Sequence, residues 1–475
     1  MKLFEKIKGL FSMLFQNVAK NEFNIDDLTT DAMHKMIDGC ADIYAGVPPW
    51  LDVEDEVNTV NFAKMICSEI AELTTLAINI KIDGSARADW LNEQTKSVLK
   101  QLRHWVEYAC AFGTVILKHS GDGVDMFAPS DFLVTDTNNG TITGCIFVNH
   151  DTSSDGKIYY TRLEYHRYLQ DEEDKIYCIT NKCYASRSRV SLGKKIDLSE
   201  SPWQNLLEEV TMENIEKPLF GVLRTPSANN KDLYSPLGMP IFYQAVQELL
   251  DLDIAYSRSG TEIKDSKRTV LMDSDRLMPD GQSVQNAAAG FEYRRKQLKL
   301  PRYVRNVMGD GVNDFYQEIN PSINTTERMV WINALLSQIG FKCGFSDGYF
   351  VFNEKTGMVT ATQVESDDRR TIQTIKDMRD RLQACLDDLI LALNNFADLY
   401  NITPIGAYET TYDFGDITYN EDEDRARWYS YVTAGHIKFW RYLVKFEGYT
   451  EEEAKAIEAE TETEDDTLFN NLKEE

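Results

Sequence analysis

The chain has 475 residues, 43% of them apolar and 27% charged, and its 77 acidic against 50 basic side chains give a formal charge of −27. That length supports two to four domains with substantial cores. The charge argues against a free nucleic-acid binder, whose affinity comes from neutralising phosphates; acid here serves either solubility or a surface that DNA passes without adhering.

Residues 1–18 alternate Lys2, Lys6 and Lys8 with Leu3, Phe4, Ile7, Leu10, Phe11, Leu14, Phe15 and Val18. This spacing predicts an amphipathic helix whose apolar core is too short for a secretory signal. It is expected to dock on the chain's own body or on a neighbouring subunit rather than on a membrane, and no apolar run approaches the roughly 18 residues of a membrane span.

Helical stripes follow at Phe62 to Leu76 and at Trp90 to Ala111. The period then changes to β-rich runs at 114–118, 132–135, 145–148, 159–163 and 175–179, punctuated by Asp122-Gly123, Asn139-Gly140 and Asp155-Gly156 as hairpin turns. An α+β unit over about 30–235 results. Pro236-Leu237-Gly238-Met239-Pro240 predicts a helix start, with Phe242, Val246, Leu249, Leu250, Asp253, Tyr256 and Ile263 on one face of a helix to about Lys267. Asp251, Asp253 and Asp265 are expected on a solvated face.

Thr269 to Met272 reads as a strand and opens a segment of opposite charge. From Arg258 to Arg305 there are eleven basic and six acidic residues, densest at Arg294, Arg295, Lys296, Lys299, Arg302 and Arg305. This is either a solvated basic loop or a docking face for an acidic partner or DNA. A shorter helix is expected from Asn324 to Gly340, then a Gly/aromatic loop from Cys343 to Lys355. Thr360 and Gln363 stand at capping-box spacing before an apolar stripe from Ile372 to Tyr400, predicting a helix of nearly forty residues, roughly 60 Å long. A strand-like stretch at Tyr408–Tyr419, helices at Glu421–Val432 and His436–Phe446, and a helix opening at Glu451 complete the order. The tail from Glu447 to Glu475 has twelve acids and two lysines.

Eight scattered cysteines form no CxxC pair, which suits reduced thiols in a cytoplasmic protein, and six histidines show no ligand spacing. No GxxxxGK[ST], GxSxG or HExxH motif occurs, so the sequence yields no catalytic residue, no metal ligand and no cofactor.

The order of these elements resembles the portal proteins of long-tailed (siphovirus-type) double-stranded DNA bacteriophages. Thr360-Ala361-Thr362-Gln363-Val364 is similar to that family's Lys-Thr-Ala-Thr-Glu-Val at the start of its long wing helix. Pro236-Leu237-Gly238 ahead of the stem-like helix, and Gly435 followed by Gly448-Tyr449-Thr450-Glu451-Glu452-Glu453-Ala454, add to it. Val359 stands where the family has lysine and Gln363 where it has glutamate, which leaves Lys355 as the nearest substitute for that lysine.

The resemblance implies an α+β portal fold in a ring, typically of twelve subunits, at a capsid vertex of the virion, assembled in the host cytoplasm. Its divisions would be a wing (1–235), stem helix (236–268), clip (269–320), second stem helix (321–342), tunnel loop (343–361), long wing helix and strand (362–420), and crown-side helices with an acidic tail (421–475). Asn353, Glu354, Lys355 and Thr356 would face a channel carrying double-stranded DNA without sequence specificity, and Thr360 and Gln363 would form the loop–helix junction. Arg294, Arg295, Lys296, Lys299, Arg302 and Arg305 would dock the terminase large subunit or a head–tail adaptor. Major capsid and scaffolding proteins would be further partners. A minor head protein without a channel, or an acidic-site nuclease, are the alternatives.

Overall fold

A computed structural model describes residues 18, 20–52, 57–121, 123–170, 175–188, 191–265, 269–273, 304–307, 316–319, 325–351, 368–415, 421–434 and 436–459. Most of the predicted N-terminal amphipathic helix lies outside these residues. Its last residue, Val18, and Phe23 and Ile25 just beyond it pack against a cluster that includes Leu133, Ile146, Leu163 and Tyr165.

The body begins with α1 (Asp31–Tyr44), whose first turn is closed by Thr30 accepting from the Met33 amide, and α2 (Phe62–Thr74). Strand β1 (Asn79–Asp83) and α3 (Ala86–Phe112) follow. α3 stops at Gly113, which has φ 83°; a Cβ there would fall 2.3 Å from the Gly238 carbonyl oxygen, so only glycine fits. Next come β2 (Thr114–His119) and β3 (Val124–Phe127). A long meander follows, of β4 (Phe132–Asn138), β5 (Thr141–Thr152), β6 (Tyr159–Gln170), β7 (Lys175–Ser186) and β8 (Lys194–Ile196). β9 (Glu209–Met212) also pairs with β7, making six strands, and β10 (Gly221–Arg224) joins β2 and β3 in a three-stranded sheet. The fold is α+β. Asn139 and Gly140 both have positive φ, as a two-residue hairpin turn requires.

Residues 236–242 are not helical, against the expectation from their prolines. They form a buried connection: the Ile241 amide donates to the Cys110 carbonyl at 2.9 Å and the Thr225 hydroxyl to the Met239 carbonyl at 2.7 Å. Backbone groups committed to α3 and β2 are not available to a helix. α4 (Val246–Asp265) therefore starts ten residues later. Beyond it, β11 (Thr269–Asp273), β12 (Val304–Val307) and β13 (Tyr316–Ile319) form a small mixed sheet with β11 central, and α5 (Thr325–Lys342) leads back.

α6 (Arg369–Leu399) has 31 residues, roughly 46 Å, with Asp368 at its N-cap position. The described helix is thus shorter than predicted; the expected cap at Thr360 and Gln363 lies outside the described residues. Its stripe of Ile375, Met378, Leu382, Leu386, Leu389 and Leu393 is wholly buried in the main core. Two buried arginines tie it to its neighbours. Arg87 reaches the Asn394 and Thr403 carbonyls and the Asp398 carboxylate, at 2.7–3.0 Å. Arg379 donates to the Leu73, Thr74 and Gly415 carbonyls, satisfying the last turn of α2. β14 (Glu409–Asp413) pairs antiparallel with β1. α7 (Glu421–Thr433), α8 (Phe439–Phe446) and α9 (451–459) end the described chain, α9 opened by reciprocal bonds between Thr450 and Glu453.

Glu164 is buried between the six-stranded sheet and the sheet of β2, β3 and β10, where its oxygens receive Lys118 (2.9 Å), Arg162 (3.0 Å) and His166 (2.9 Å). Burial pushes its pKa up, but the Lys118 and Arg162 charges outweigh that and hold it well below the ordinary carboxylate range. His166, in turn, is bonded to the Tyr177 hydroxyl at 2.8 Å. All eight cysteines are buried and unpaired with one another.

Candidate functional site

The helices flanking the small sheet carry the surface that stands out. α4 and α5 run antiparallel: Lys342 at the end of α5 meets Glu248 at the start of α4 at 2.5 Å, and Arg328 pairs with Glu262 at the other end. Along the pair, Tyr256, Ile263, Met329, Val330 and Trp331 are exposed, apolar side chains on helices that should bury a stripe. Between them lies a groove of about 490 Å³ lined by Ile254, Ala255, Arg258, Trp331 and Ile332, among others.

One end of α4 is strapped to the body. Asp253, expected to be solvated, is buried; it accepts from Trp50 Nε1 at 2.9 Å and from the Val60 amide at 2.8 Å. One turn on, the Ser257 hydroxyl accepts from the Asn58 amide at 2.8 Å. Beyond Ser257 no such tether to the body occurs among the described residues, and the exposed side chains begin to dominate. The sequence did carry the signal for Asp253: an acid in phase with an apolar stripe must find a partner when the stripe is buried.

The second feature is the base of the loop between α5 and α6. Ser346 and Thr371 bind each other through both side chains and both amides, at 2.9–3.3 Å. Thr374 donates to the Gly344 carbonyl at 2.8 Å, and a Cβ at Gly344 (φ 95°) would collide with the Thr374 hydroxyl. Arg370 donates to the Phe341 carbonyl and lies 3.8 Å above that ring. Phe345, Tyr349 and Phe350 pack against one another in tilted and edge-to-face contacts, and Phe350 meets Phe62 of α2 edge-on at 5.1 Å. Residues 341–350 and 368–374 are thereby tied into one closed base.

The predicted channel-facing residues Asn353, Glu354, Lys355 and Thr356, and the junction pair Thr360 and Gln363, lie outside the described residues. So do Arg294, Arg295, Lys296, Lys299 and Arg302. Arg305 falls in β12, in register with Leu271 of β11. Sequence reasoning did not anticipate the Asp253 strap or the Ser346–Thr371 clasp. No local pattern marks the clasp, because its partners are 25 residues apart.

No protein-family model matches the chain, and no curated protein does. Similar solved structures include a chain of the virion of a native gene transfer agent particle, 12% identical over 88% of this chain and 94% of that one, with a TM-score of 0.46. A chain from the neck of the empty particle, computed with C6 symmetry, is 12% identical with the same coverages and a TM-score of 0.45. One from the neck of the native particle, computed with C12 symmetry, is 13% identical over 82% and 89%, with a TM-score of 0.42. The functional reading rests on this chain's own geometry.

Among the described residues no group of three or more His, Cys, Asp or Glu is placed to hold a metal ion, and no helix is long and apolar enough to cross a membrane.

Proposed function

We propose that this chain is the portal subunit of a tailed-phage-like virion, a structural protein that assembles into a ring, of twelve copies by the family resemblance, around a DNA channel. The observation that carries it is the α4–α5 pair: a strapped, antiparallel helical arm with exposed apolar side chains, a small sheet at its tip and a clasped base at its root. Packed around an axis, such arms cover one another's apolar faces, which water would otherwise meet. The charge of −27 per copy suits a passage along which a duplex slides without adhering.

In this reading the 343–361 loop faces the channel through Asn353, Glu354, Lys355 and Thr356, with Thr360 and Gln363 at its junction. The cluster Arg294–Arg305 at the tip docks the terminase or a head–tail adaptor. Electron microscopy of the purified protein tests the core of the proposal. Closed rings with a central hole are expected; monomers alone under assembly conditions would sink it. A closed assembly without a hole would favour the second reading, a channel-less minor head protein. In packaging reactions, bulky insertions at 353–356 should block DNA entry into particles whose rings are intact, and normal packaging would remove the loop from the channel. Reversing the charge of Arg294, Arg295 and Lys296 should cost motor or adaptor binding. Unchanged binding would leave the cluster a solvated surface.

A further inference from the structure

Leu233 and Tyr234 are 82% and 96% exposed, at the tip of the 226–235 loop. A loop that shows two large apolar side chains to water is ordinarily loose. This one is held at every step. Asn229 Oδ1 accepts from the amides of Lys231 and Asp232, both at 3.0 Å, and its Nδ2 donates to the Leu237 carbonyl at 3.2 Å. Asp232 Oδ1 accepts from the Tyr234 amide at 3.1 Å, and the Asp232 carbonyl from the Ser235 amide at 3.2 Å. These nested Asx turns fix the backbone under the two side chains. The loop runs straight into the buried 235–242 connection, so the tip is rigidly joined to the body core.

A rigid Leu-Tyr tip is a binding element whose ordering cost is already met, and tyrosine is among the residues that dominate interface energetics. We infer that Leu233 and Tyr234 insert as a knob into the α4–α5 groove of an adjacent copy of this chain. This rests on the ring reading above and adds to it which surfaces meet. Three observations select a second copy as the occupant. The groove has apolar walls in Ile254, Ala255, Trp331 and Ile332, with Asp251 and Glu327 available to a tyrosine hydroxyl. The chain's own knob does not fill it, because Tyr234 is almost wholly exposed. Knob and groove are also different patches of one molecule, and a contact between unlike patches is what a cyclic ring uses, whereas a two-fold dimer matches a patch with itself.

The test pairs Tyr234→Cys with Ser259→Cys, a groove residue, in assembled protein treated with a short bis-maleimide. All native cysteines are buried, so background labelling is low. A ladder of covalent multimers from the double variant, absent from each single variant, is expected. Rings visible by microscopy but only monomers on the gel would overturn the knob-in-groove contact while leaving the ring intact. Absence of rings in the unaltered protein would instead remove the ring reading. Should the cysteine pair itself prevent closure, Leu233→Asp with Tyr234→Asp decides. At these exposed sites the monomer's melting should not change, and the concentration for half-assembly should rise at least tenfold. An unchanged assembly concentration overturns the proposal.

Discussion

α6 and the α4–α5 pair draw on the same side chains and end in opposite environments. The stripe of α6 is enclosed by its own chain, with Arg87 and Arg379 tying the helix to α3, α2 and the 403–415 segment. The stripe of α4 is enclosed only as far as Ser257, and the exposed Val330 and Trp331 of α5 continue where the enclosure stops. A helix that one chain completes contributes to folding. One that it leaves open contributes to whatever covers it. Substitutions in the two regions should therefore separate folding from assembly.

The largest effect belongs to the enclosed helix. Leu386→Ala removes a side chain buried beside Cys385 and Leu389 in the main core. A cost of about 2–5 kcal/mol is expected, since a cavity remains where the isobutyl group was. Urea unfolding of the monomeric form measures it, and a loss below about 1 kcal/mol would contradict the description of α6 as fully enclosed.

The strap between the regions comes second. Asp253→Ala leaves Trp50 Nε1 and the Val60 amide without their acceptor, at a cost of about 1–3 kcal/mol for buried donors left unmet. Asp253→Asn keeps one acceptor and should lose less. If the two variants melt together, the carboxylate does not hold the strap.

How much of this contrast was legible beforehand depends on the range of the forces. The stripes of α2, α3 and α6 and the Asn139-Gly140 turn are local, and the sequence displays them. β5, β6 and β7 extend to 12 residues each, well beyond their β-rich centres, because cross-strand pairing carries polar residues such as Asn149, Arg162 and Lys182 along. Pro236 and Pro240 suggested a helix start; Ile241 and Met239 were claimed by Cys110 and Thr225, more than a hundred positions away and 14 positions away respectively. Asp253 was judged by charge alone, and only the fold brings Trp50 to it.

A smaller effect should come from pH, inside the body. Burial lowers the His166 pKa from its ordinary value, against the attraction of Glu164, so the folded imidazole holds its neutral form to lower pH than the unfolded one. Below about pH 6.5 the unfolded chain binds a proton there that the folded chain does not, so stability falls as pH drops through that point. Glu164 adds a second loss at lower pH, below its ordinary value near 4.5, where the unfolded carboxylate protonates first. His166→Asn should flatten the dependence of the urea midpoint between pH 6.5 and 5 and leave the steeper acid limb in place. Parallel curves for the two proteins would show that His166 titrates alike in both states.

The smallest effect on the chain itself is the most telling for the open arm. Trp331 is 57% exposed and Val330 65%, so Trp331→Ser with Val330→Ser removes little burial from the monomer. Its stability should change by less than about 0.5 kcal/mol per site, as at ordinary surface positions. In a ring the same two side chains are covered on every subunit, and the loss repeats at each interface. Sedimentation should then show monomers at concentrations where the unaltered protein closes rings, with unfolding of the monomer unchanged. If stability falls by several kcal/mol instead, α5 is completed by its own chain and the contrast with α6 disappears. If both stability and ring closure are untouched, the apolar arm meets no neighbour, and the surfaces that join the copies lie elsewhere on the chain.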